Sequence, residues 1–254
     1  MKNVVKIQEV EPSCTNRRKF LKISGLSIVG TGLVLAGCSN EDLVKFKNPK
    51  SNYGNGHFPG IKNGVFDFGG NDLGILTYAY ALEQLEADFY TRVVNNNGFT
   101  SNFTAEDQQV LTDLYYHEVI HREFFRTALT GALPNPKKQL LPNLAFDYGT
   151  LNFGSRTQVL ATAKALEDTG VAAYNGAGRL ISNPNYLLLA GKIVSVEARH
   201  ASAIRSLINP NSADFAGDDV VNTTTGLDVQ KRPSEVLAIA DGFITTPFTA
   251  LYLP

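Results

Sequence analysis

Two short stretches of this chain set a carboxylate and an imidazole three residues apart in segments otherwise built for burial. One is HEVIHREFF, with Glu118 and His121; the other is VEARHAS, with Glu197 and His200. On a helix, positions i and i+3 share a face, with Cβ atoms about 5–6 Å apart. A glutamate and a histidine so placed can converge on one metal ion, and the carboxylate can bridge to a second. Eleven glutamates and four histidines scattered over 254 residues would give only about 0.17 Glu-x-x-His pairs. Two occur, so the spacing calls for a chemical reason.

Reading each helical pattern at steps of three and four extends the observation. The second pattern gives Leu111, Leu114, Glu118, His121, Phe125, and the fourth gives Ile193, Glu197, His200, Ile204, Leu207. The first gives Leu76, Ala79, Glu83, Glu86, Tyr90, Val93, and the third gives Leu160, Ala163, Glu167, Gly170, Tyr174, Ala177, Ile181. Each stripe is apolar except in its middle, where a glutamate stands. ALEQLEADFY and ALEDTGVAAY align Glu83 with Glu167 and Tyr90 with Tyr174, so the two halves repeat weakly. Four buried carboxylates cost several kcal/mol each in desolvation and raise one another's pKa. No lysine or arginine interrupts the stripes, and two imidazolium charges cannot balance four carboxylates. Two divalent cations can.

The elements that must position these groups are four long helices. The first spans about 72–95. The second starts at Thr104, an N-cap with Asp107 three residues on, and ends near Gly131. The third starts at Ser155, where Gln158 completes a capping box. The fourth has Asn183 as N-cap and Pro184 at its first position, and stops before Pro210. Short connections make helices one and two a hairpin, and likewise three and four. The roughly 24 residues between helices two and three can reach on the order of 75 Å, more than the ~40 Å of a 27-residue helix. This predicts an all-α four-helix bundle over 71–209 with one long crossover between helices two and three. Residues 39–70 read as a polar linker and lead-in. Residues 210–254 read as a loop, a short C-terminal helix around 234–244 and a tail.

Glu83, Glu118-x-x-His121, Glu167 and Glu197-x-x-His200 resemble the ligand set of the ferritin-like di-iron carboxylate superfamily in number, order and helix placement. Within it the chain looks most like exported bacterial ferritin-like domain proteins related to desiccation-associated proteins. The resemblance implies two Fe (or Mn) ions, with Glu118 and Glu197 bridging and Glu83 and Glu167 as terminal ligands. It implies that Tyr90 and Tyr174 hydrogen-bond and orient carboxylates; the plain alternative is core aromatics. Glu86 has no acidic counterpart in the repeat, where Gly170 stands. It is open as an extra ligand, a gate for cations or a rim residue. His117 lies one position off the stripe and reads as a surface or interface residue. Oxidation of Fe(II) by O₂ is the leading function. The alternative is an exported stress- or desiccation-associated binding module whose metal site is structural or partly inactive.

The N-terminus supplies the context. TNRRKFLK, with Arg17 and Arg18, resembles the twin-arginine export signal. The mild apolar stretch after it is too short for a permanent span, and its end, LAGC, resembles a lipobox that would lipidate Cys38. The expected location is the periplasm or cell envelope, lipid-anchored to a membrane, with residues 1–38 as the signal. Both cysteines lie in the first 40 residues, so the folded part has no disulfide. A net charge of −1 argues against nucleic acid as a partner. Metal ions and O₂ are the expected partners, with a homo-oligomer left open and a mineral-storing cage disfavoured.

Overall fold

The computed structural model describes residues 57–254. The twin-arginine motif, Cys38 and the start of the lead-in lie outside the described residues. Four long helices carry the fold: α1 (Asn71–Val94), α2 (Ala105–Ala132), α3 (Arg156–Gly178) and α4 (Pro184–Ile208). α1 packs along α2, and α3 along α4. Among the described residues no helix is long and apolar enough to cross a membrane.

Local chemistry sets the helix ends. Thr104 and Asp107 cap α2 reciprocally. The helix stops at Leu133, which takes an extended conformation because Pro134 disfavours the helical region for the residue before it. Pro184 opens α4 and the Asn183 side chain accepts from Asn185 N. At α3 the expected capping box is only half formed. Ser155 accepts from Gln158 N at 3.5 Å, but the Gln158 carboxamide turns to accept from Asn152 N at 3.0 Å. The crossover offers it a nearer backbone donor than Ser155 does.

The lead-in is less of a linker than its composition suggests. β1 (Gly60–Lys62) pairs antiparallel with β2 (Val65–Asp67). A small hairpin joins β3 (Val221–Asn222) to β4 (Leu227–Asp228), and β5 (Phe248–Thr249) pairs parallel with β2. Phe66, Asp67 and Phe68 are buried, and the Asp67 carboxylate accepts from Lys62, Gly69 N and Thr249. Strands of three residues show no periodicity, and their partner lies some 180 residues along the chain.

α1 is buried nearly all round, because more than helices surrounds it. The crossover fastens to its middle: Gln84 donates to Pro142 O and accepts from Leu144 N, and Tyr148 donates to Leu85 O. The C-terminal segment with α5 (Pro233–Ala240) packs against α3. Ion pairs, each with one buried partner, tie the ends. Arg156 grips Asp107 through two nitrogens and Leu207 O, and Arg205, 4 % exposed, holds Asp168 and Asp219.

Gly176 shows why α3 carries glycine where alanine would favour the helix. A Cβ there would lie 1.7 Å from Lys231 O, in the strap whose Lys231 N donates to Ala172 O. Gly176→Ala gains about 1 kcal/mol of helix propensity but must expel the strap. Residues 229–240 should then lose amide protection against hydrogen exchange while the four-helix core keeps its own. Unchanged protection there would refute this role for the glycine.

Candidate metal centre

The middle turns of the four helices bring six side chains together. α1 contributes Glu83, α2 Glu118 and His121, α3 Glu167, and α4 Glu197 and His200. The four glutamates are fully buried; His121 is 9 % and His200 3 % exposed. Donor atoms gather in two groups, each within 4.8 Å: Glu83, Glu118, His121, Glu197, and Glu118, Glu167, Glu197, His200. Glu118 and Glu197 belong to both.

Nδ1 of His121 lies 2.9 Å from Glu197 Oε1 and 3.4 Å from both Glu83 Oε2 and Glu118 Oε2. Nδ1 of His200 lies 2.8 Å from Glu118 Oε1 and 3.4 Å from Glu167 Oε2 and Glu197 Oε2. These are close approaches without hydrogen-bond geometry. Glu83 Oε2, Glu167 Oε2, both oxygens of Glu118 and Glu197, and both Nδ1 atoms are buried with no hydrogen-bond partner. Buried polar atoms are rarely orphaned in this way, and so many converging on one place require an explanation. Ligands of an octahedral ion at ~2.1 Å stand about 3 Å apart, close to the spacing observed. The residues present therefore fit metal ions.

The oxygens that point away from the cluster are satisfied by tyrosines, reciprocally across the bundle. Tyr90 of α1 donates to Glu167 Oε1 of α3 at 2.5 Å, and Tyr174 of α3 donates to Glu83 Oε1 of α1. Each tyrosine thus serves the glutamate of the other repeat rather than the one seven residues before it. Each bond leaves one glutamate oxygen aimed at the centre.

Without metal the site is a proton store. Burial and the neighbouring Glu197 carboxylate push Glu118 up to about 8, and burial pushes Glu167 up to about 7. Burial would raise Glu197 too, but the His121 and His200 rings outweigh it and hold it down to about 2. Desolvation disfavours charge on both histidines, yet the surrounding carboxylates raise them well above the ordinary imidazole range.

Glu86 belongs to neither donor group and is not a rim residue, being 4 % exposed. Its carboxylate occupies space left by its repeat counterpart: a Cβ on Gly170 would sit 3.0 Å from Glu86 Oε1. Burial, reinforced by the four cluster carboxylates, raises its pKa well above the ordinary range. It borders a cavity of about 40 Å³ walled mainly by Leu82, Leu85, Leu166, Ile239 and Phe243. His117 is exposed as expected, but it also touches the site. Its Nδ1 lies 2.9 Å from Nε2 of His200. Helical periodicity does not show this contact, because an off-stripe ring can reach sideways to the neighbouring helix.

No curated protein matches the chain. A family model, the ferritin-like domain, matches residues 71–210. That stretch contains the four long helices and every member of the cluster, and it covers more than half of the sequence, so the chain belongs to the ferritin-like domain family.

Proposed function

We infer that the protein holds a pair of divalent ions, iron or manganese, at the Glu83–Glu118–His121–Glu167–Glu197–His200 cluster and oxidises Fe(II) with O₂. One observation carries the reading: two donor groups that share Glu118 and Glu197, built from otherwise orphaned buried atoms. Four carboxylates offset the charge of two divalent ions, and a donor set rich in oxygen with one imidazole per position suits iron or manganese. Bound Fe(II) would supply one electron per ion to O₂. The side chains keep the ligand geometry fixed, with Tyr90 and Tyr174 holding the outer oxygens of Glu167 and Glu83. Glu118 and Glu197 would bridge; Glu83 and Glu167 would each bind terminally. The cavity beside Glu86 has room for a small molecule and falls far below the 300–1,000 Å³ usual for an organic ligand. In the cell we place the domain outside the cytoplasm on a lipidated Cys38, in keeping with the N-terminal motifs.

The test is elemental analysis followed by oxidation. The mature domain loaded anaerobically with Fe(II) should retain close to two equivalents. Exposure to O₂ should then oxidise them faster than iron in buffer. A folded domain that retains no metal refutes the reading. Two equivalents with no accelerated oxidation would instead support an exported binding module with a structural site.

A further inference from the structure

The two halves of the cluster are near copies, but one contact has no copy. Nδ1 of His117, on α2, lies 2.9 Å from Nε2 of His200, on α4, and the rings are nearly parallel at 14°. His200 is buried, with its Nδ1 turned into the cluster. With or without a proton on Nδ1, an imidazole whose Nδ1 serves the cluster carries a hydrogen on Nε2. Nε2 therefore donates to Nδ1 of His117, whose own hydrogen sits on the outer nitrogen. The repeat places Val196 where His117 stands, each one residue before its bridging glutamate. Valine cannot accept a hydrogen bond, so His121 has no such partner on α4.

We propose that His117 is a positioning residue that makes the two metal positions inequivalent, by fixing the tautomer and ring orientation of His200 alone. This deepens the dimetal reading and rests on it. An acceptor behind a ligating imidazole raises its basicity and holds the ring in place, and removal of such a partner typically costs 10–100-fold in metal affinity. The position served by Glu118, Glu167, Glu197 and His200 is therefore the tighter of the two. His117 is exposed, so its replacement leaves the core packing untouched.

Co(II), followed by its visible ligand-field absorption, is the probe. The parent should bind two equivalents of unequal affinity. In His117→Ala, the tighter equivalent should weaken about 10–100-fold and its spectrum should change, while the weaker one moves by less than about 2-fold. His117→Asn, which offers an oxygen acceptor near the place of Nδ1, should restore most of the affinity. The inference is overturned if the alanine variant titrates like the parent, if both equivalents weaken alike, or if asparagine is no better than alanine. A folded parent that binds no Co(II) overturns the dimetal reading as well, which separates the two failures.

Discussion

Mn(II) will raise the melting temperature of the mature domain at pH 8, and the increment will shrink steadily toward pH 5. Metal-free, Glu118 and Glu167 keep protons up to about pH 8 and 7, against an ordinary glutamate value near 4.5. The folded chain thus binds protons that the unfolded chain has released. The stabilisation from these two groups is complete below about pH 4.5 and is lost as pH rises through 7 and 8. His121 and His200, also raised, act in the same direction above about pH 6.5. Glu197, lowered to about 2, has the opposite sign, but its contribution changes only below about pH 4.5. The chelated domain should therefore lose stability from pH 5 to pH 8. Metal must displace these protons, so its affinity rises over the same interval. Free ion at a hundred times Kd adds about 2.7 kcal/mol, or roughly 5–10 °C for a domain of this size. Calorimetry with and without chelator at fixed Mn(II) measures both curves. An increment that grows toward pH 5 would contradict the proton store.

Glu118→Gln and Glu197→Gln will each leave the metal-free domain as stable as the parent at pH 6.5, and the double variant will not. Each removes a shared donor and should abolish tight binding of two ions. The two carboxylates stand at mirrored distances from Nδ1 of His121 and His200, Glu118 at 3.4 and 2.8 Å and Glu197 at 2.9 and 3.4 Å. Burial and mutual repulsion leave this pair one proton up to about pH 8. A neutral amide of nearly the same volume takes the place of the protonated carboxyl, and the other carboxylate stays as the anion. Each single variant should match the parent at pH 6.5 and exceed it at pH 9. The double variant leaves the buried cationic rings without that anion. Breaking a buried pair costs about 3–5 kcal/mol, so the double variant should melt roughly 6–20 °C below the chelated parent. A double variant as stable as either single one would show that Glu83 and Glu167 balance the rings by themselves.

The helices and the residues at their centre follow from local pattern. Helical periodicity places Glu83, Glu118, His121, Glu167, Glu197 and His200 on the inward stripes, and those stripes can only face one another. Thr104, Asn183 and Pro184 mark helix starts through local hydrogen bonds and backbone geometry, which are properties of a few neighbouring residues. Tertiary packing set what depends on distant partners. It crossed the tyrosines, Tyr90 to Glu167 and Tyr174 to Glu83, because a hydroxyl at the end of a long ring bonds across the bundle more readily than along its own helix. It drew residues 60–67 into a sheet with the C-terminus and buried α1 under the crossover. It used Gly170 to admit Glu86 and Gly176 to admit Lys231, rather than to bring helices together. It made two equivalent halves unequal through His117. A one-dimensional pattern records which face a residue occupies. Which atom meets it there, and at what pKa, is set by packing between segments far apart in the chain.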